Sequence, residues 1–110
     1  MRIFLDERVH AGVRAAFPGH SVSTVSEAGW RGSKDDSLLG LAEGAFDVFL
    51  TIDRGIEHQV DLRSLALGFV IVRVASNTLA AYLPSFEHLL RAGESVRKRE
   101  VIHLDIRPSR

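Results

Sequence analysis

The sequence predicts an α/β fold whose mostly parallel sheet is covered by helices on both sides. Three observations carry that prediction. Residues 1–6, 47–52 and Leu67–Val74 are apolar runs without polar alternation, as expected of strands buried on both faces. Helical apolar spacing fills stretches between them. Turn residues then separate the two kinds of segment: Pro18-Gly19, Gly44 and Gly93 stand where a helix should stop.

In chain order, strand 1–6 runs into Asp6-Glu7. Val9, Val13, Ala16 and Phe17 then fall at helical spacing over Glu7–Phe17, with Arg8 and Arg14 facing outward. His20–Val25 alternates and holds Val22, Thr24 and Val25, so it reads as a second strand nearer an edge. Residues 26–34 place two glycines around Trp30 and read as a loop. Asp35 or Asp36 is an N-cap for the Leu38, Leu39, Leu41 and Ala42 stripe. Strand 47–52 follows, then an irregular Gly55–Ser64 with at most a helical turn. After Leu67–Val74, Asn77 is expected to cap a helix through Leu90, which Pro84 kinks or begins and Gly93 closes. Glu100–Ile106 alternates as a final strand, and 107–110 is a tail, leaving one domain over 1–106.

Composition narrows the function. A chain of 110 residues supports a single core. Fourteen basic and fourteen acidic residues cancel, so no global field draws the chain to nucleic acid or membrane. With no cysteine, thiol catalysis, disulfides and thiolate metal sites are excluded, which fits a cytoplasmic setting. The start, Met1-Arg2-Ile3-Phe4-Leu5-Asp6, reaches a carboxylate too soon for a signal peptide. No apolar run approaches the roughly 18 to 20 residues of a membrane span. The five histidines show no paired ligand spacing.

The acids concentrate the chemistry. Asp6 ends the first strand, Asp53 ends the strand at 47–52, and Asp35 opens a helix. In a parallel sheet, strand C-termini and following helix N-termini share one edge, so the three carboxylates should gather there with Glu7 and Glu27 nearby. Like charges at close range call for a cation, and Mg²⁺ or Mn²⁺ bound by oxygen ligands is the simplest one. Helix capping is the competing reading of each acid taken alone. Thr51 is a candidate to orient Asp53, and Arg54 to meet phosphate. Trp30 is a candidate for base stacking or, more simply, for packing over the sheet. Arg97-Lys98-Arg99 with Arg107 and Arg110 makes a basic end.

Taken in order, Ile3-Phe4-Leu5-Asp6-Glu7, Pro18-Gly19-His20-Ser21-Val22, Glu27-Ala28-Gly29-Trp30, Asp35-Asp36-Ser37-Leu38-Leu39 and Leu50-Thr51-Ile52-Asp53-Arg54 resemble the short PIN-like domains of bacterial toxin–antitoxin loci. The likeness extends through Val70-Ile71-Val72-Arg73 and the Ser76-Asn77 turn. It implies a three-layer PIN-like fold and a metal-dependent endoribonuclease acting as a toxin. Its catalytic and metal-binding residues would be Asp6, Asp35 (or Asp36 beside it) and Asp53, with Glu7, Glu27, Thr51 and Arg54 in support. It also implies Mg²⁺ or Mn²⁺ as cofactor, RNA as substrate and a cognate antitoxin as partner, and it leaves a homodimer open. One departure stands out. PIN domains hold another acid in a longer helical region, where this chain has only the 26–34 loop, with Glu27 as its stand-in. A catalytically incomplete module that binds protein or RNA is therefore the alternative. A receiver-like metal pocket ranks last, since no phosphoacceptor strand stands out.

Overall fold

Five short strands, all parallel, form one sheet in the order β2-β1-β3-β4-β5. The computed structural model describes residues 1–108, with the side chain of Asp35 outside that description. The strands are β1 Arg2–Leu5, β2 Ser21–Thr24, β3 Val48–Thr51, β4 Gly68–Arg73 and β5 Val101–Asp105. As expected, β2 lies at an edge, and the three interior strands are the three continuous apolar runs. The predicted α/β class holds, and the sheet is parallel throughout.

Strand alternation divides the core into two layers. On one face Ile3, Leu5, Val48, Leu50, Val70 and Val72 pack beneath Val13, Phe17, Tyr82 and Leu89. These last four come from a 3₁₀ turn, Ala11–Ala16 with Phe17 behind it, and from helices α3 (Leu79–Tyr82) and α4 (Phe86–Ser95). On the other face Phe4, Phe49, Phe69 and Ile71 meet Leu38, Leu39, Ile56 and Leu62. Those residues belong to α1 (Asp35–Ala42), α2 (Ile56–Gln59) and a 3₁₀ turn at Leu62–Ser64. Trp30 packs here edge-on against Phe4, ring centroids 5.6 Å apart, and against Phe46.

Several local expectations change in the folded chain. The helix expected over Glu7–Phe17 is a 3₁₀ turn beginning only at Ala11. Val13 and Ala16, three residues apart, share one side of a three-residue turn, and both are buried. The residue at the N-cap of α1 is Lys34, without a side-chain cap; Asp36 accepts from the Ser37 N–H instead. Asn77 caps no helix either. It reaches across the chain, donating to the Arg8 carbonyl and accepting from His10 N–H and the Tyr82 hydroxyl. Gly93 lies inside α4, which continues to Ser95. A Cβ there would stand 3.0 Å from Phe17 Cε1, so this glycine serves close packing.

The connections have a consequence for the sheet edge. β3 to β4 and β4 to β5 step the same way across the sheet, yet α2 packs on one face and α3–α4 on the other. Two such crossovers have opposite hands. The first three connections share one hand, which the strong preference for right-handed crossovers identifies as right; the last is left-handed. Among the described residues no helix therefore covers the outer part of β4 and β5 on the α2 face, where Arg73, His103 and Asp105 stay exposed.

Candidate functional site

Strand order reverses between β1 and β3, because the chain leaves β1 toward β2 and returns to β1's other side. Ligand crevices of open parallel sheets form at such a point, outside the carboxyl ends of the strands. The register pairs Leu5 with Leu50, so the next residues, Asp6 and Thr51, come side by side. The Asp6 N–H extends this ladder by donating to the Leu50 carbonyl at 3.0 Å.

Both side chains are buried, Asp6 at 4 % exposure and Thr51 at 0 %. An ionised carboxylate at that depth needs donors. Thr51 Oγ1 supplies one, donating to Asp6 Oδ2 at 2.7 Å. The same hydroxyl oxygen accepts the Asp53 N–H at 3.0 Å. One threonine thus fixes both acids, which is more than the orienting of Asp53 expected of it. Asp53 Oδ1 accepts the Gly55 N–H at 3.0 Å, closing an Asx turn that starts the α2 segment. Asp53 is not the helix cap that the competing reading made it, since the N-cap of α2 is Gly55 and carries no side-chain cap; its other oxygen is turned elsewhere.

That other oxygen meets a cation. Arg8 Nη1 lies 3.3 Å from Asp6 Oδ2 and 3.5 Å from Asp53 Oδ2. Two carboxylates from neighbouring strands converge on one positive point, and the point is an arginine from the turn after β1. Arg8 was expected merely to face outward. Its signal in the sequence was faint: a cation two residues beyond a strand-end acid. Asn77 steadies the segment that carries it, through the Arg8 carbonyl and the His10 N–H.

The remaining candidates are dispersed. Glu7 is exposed and makes no hydrogen bond or ion pair among the described residues. Glu27 accepts from the Thr24 N–H at 2.9 Å and pairs with Arg14. The Thr24 N–H, helped by the Arg14 guanidinium, holds its carboxyl below the ordinary value of 4.5, so its contacts are those of a turn. Asp36 lies across a cleft of about 420 Å³ that Arg8 also lines. Asp35 opens α1, and its side chain lies outside the described residues, as do Ser109 and Arg110. Arg54 is exposed beside the acid pair and lines a second cleft, with Arg73 and Arg107.

A divalent ion can be tested against these donors. Among the described residues, no three His, Cys, Asp or Glu side chains come together. Mg²⁺ usually takes only one or two carboxylates and fills its other positions with water and substrate phosphate. Asp6 Oδ2 and Asp53 Oδ2, already aimed at one cation position, fit that requirement once Arg8 withdraws. No helix among the described residues is long and apolar enough to cross a membrane. Compared with family models, curated proteins and solved structures, the chain matches none.

Proposed function

We propose that this chain is a metal-dependent endoribonuclease of PIN-like type, working in the cytoplasm as the toxin of a toxin–antitoxin pair. The observation that carries the reading is the convergence of Asp6 and Asp53 on a single cation position at the sheet's reversal point. Asp6, Asp53 and Asp35 would hold Mg²⁺ or Mn²⁺. When bound, such an ion supplies positive charge to the phosphodiester and lowers the pKa of water at neutral pH.

The chain's own residues prepare that site. Thr51 keeps Asp6 and Asp53 in place, so the two carboxylates need no rearrangement when a cation arrives. Arg8 holds their charge in check beforehand. Once displaced, its guanidinium remains beside the scissile region, where it can pair with a phosphate oxygen. Arg54, next to Asp53 in the chain and exposed, would support the same phosphate chain.

The test is cleavage of single-stranded RNA by the purified protein in Mg²⁺ or Mn²⁺, with chelator as control. Asp6→Asn and Asp53→Asn should each reduce cleavage by orders of magnitude while the fold persists. Co-expression with the product of the neighbouring upstream gene should yield a complex that does not cut RNA. A second reading, a catalytically incomplete binding module, draws on the Arg8 contacts, which already neutralise the pair from within. Folded protein that binds RNA and metal yet cuts no member of a broad RNA panel would establish that reading instead.

A further inference from the structure

At the carboxyl ends of β3, β4 and β5 lies a cleft of about 390 Å³, within the usual size range of ligand pockets, about 300 to 1,000 Å³. Each of the three adjacent strands delivers one arginine to it: Arg54 after β3, Arg73 at the end of β4 and Arg107 after β5. Arg54 makes no hydrogen bond or ion pair among the described residues. Arg73 stands opposite Asp105 in the sheet register. Arg107 forks the same Asp105, from Nε at 3.0 Å and Nη2 at 2.8 Å. The cleft lining thus holds three arginines and no acid, although the whole chain is neutral.

We infer that this cleft is a binding track for the sugar–phosphate backbone of single-stranded nucleic acid, with Arg54, Arg73 and Arg107 as its phosphate contacts. Guanidinium forks fit phosphate oxygens in pairs. Neighbouring strands lie about 4.8 Å apart, so arginines from three adjacent strand ends suit a chain of repeated anions better than one isolated anion, with Arg107 exchanging Asp105 for phosphate. The walls are aliphatic, from Ile52, Val72 and Val74. With no aromatic ring to stack on, the track reads charge and not base identity. Arg54 is covalently next to Asp53, so a strand lying in the cleft leads directly to the acid pair. The inference deepens the nuclease reading, but the binding it names requires neither metal nor cleavage.

The test is fluorescence anisotropy with a labelled oligouridine in chelator, so that no metal-dependent cutting occurs, over a range of salt. Three single-strand phosphate contacts predict a log K against log salt slope of about −2, at about 0.7 per contact. Arg54→Ala with Arg73→Ala should reduce the slope to about −0.7 and weaken binding at least tenfold at low salt. Thermal melting would verify that this variant folds. An Arg97→Ala, Lys98→Ala control, altering the other basic cluster, should bind like the wild type. Oligodeoxythymidine should compete as well as oligouridine. Wild-type affinity in the Arg54, Arg73 variant would overturn the inference, as would loss only in the Arg97, Lys98 control. Equal competition by polyglutamate would also overturn it, since the cleft would then serve an acidic protein segment. Retained binding with no cleavage in metal would leave the track standing and remove the nuclease.

Discussion

Replacing Thr51 by Val isolates the one hydroxyl that joins both acids. Val has nearly the same shape, so the 0 % exposed site remains filled, but Asp6 Oδ2 loses its 2.7 Å donor and the Asp53 N–H loses its acceptor. A hydrogen bond to a charged, buried group contributes about 1.5 to 3 kcal/mol, and the half-accessible N–H adds less, so the expected loss is about 2 to 4 kcal/mol. Unfolding entropy of about 2.1 cal/mol/K per residue makes that a fall in Tm of about 9 to 17 °C for this chain. Thr51→Ser keeps the hydroxyl and removes only a buried methyl, at a cost of about 1 kcal/mol. Urea and thermal melts of both variants measure the order directly. In an Asp6→Ala background most of the Thr51→Val cost should vanish, because its partner is gone. If Val is tolerated better than Ser, position 51 is a packing site and the hydroxyl does not hold the pair.

Three further outcomes follow from the same geometry. Arg8→Met removes the resident cation from two carboxylates, one of them buried, so stability should fall, while the rise in Tm on adding Mn²⁺ should grow; an unchanged rise would mean that Arg8 does not compete for the site. Asn77→Ala forfeits contacts to Arg8, His10 and Tyr82 and should cost about 2 to 3 kcal/mol in chemical denaturation, against about 0.5 to 1.5 for Tyr82→Phe, which loses one. Glu27, whose carboxyl lies below its ordinary 4.5 through the Thr24 N–H and Arg14, adds stability that is complete above that value and is lost as pH falls through its folded value. Glu27→Gln should therefore lower the neutral plateau of the stability profile and flatten its acid side.

What could be read from the chain was local. Continuous apolar runs ending in acids marked β1 and β3, and the parallel topology implied by alternation with helices put Asp6 and Asp53 on one edge. The Thr-x-Asp spacing made Thr51 a candidate, because a strand-end residue and the turn after it are close whatever the rest of the chain does. The partners of those groups were not legible. Arg8 meets the acids because a 3₁₀ turn begins late and frees residues 7–10, and Asn77 reaches that segment from 67 or more positions away. The face chosen by α3 and α4 depends on Tyr82 and Leu89 finding space beside Phe17 and Val13, a tertiary packing outcome with no local signature. The arginines of the cleft are hidden for the same reason, since each comes from a different strand end.

The nuclease reading requires Asp6 and Asp53 to share one divalent cation. Mn²⁺ titration followed by thermal melting and by the electron paramagnetic resonance of the free ion measures this in the wild type, Asp6→Asn, Asp53→Asn and the double variant. That reading predicts one Mn²⁺ per wild-type chain, with a stabilisation of about 2.7 kcal/mol at a hundredfold excess over Kd. Each single variant should lose most of it and the double variant all of it, with every protein still folded. An equal Mn²⁺ stabilisation in the wild type and the double variant would contradict it, because the ion would then be held somewhere other than between these two strands.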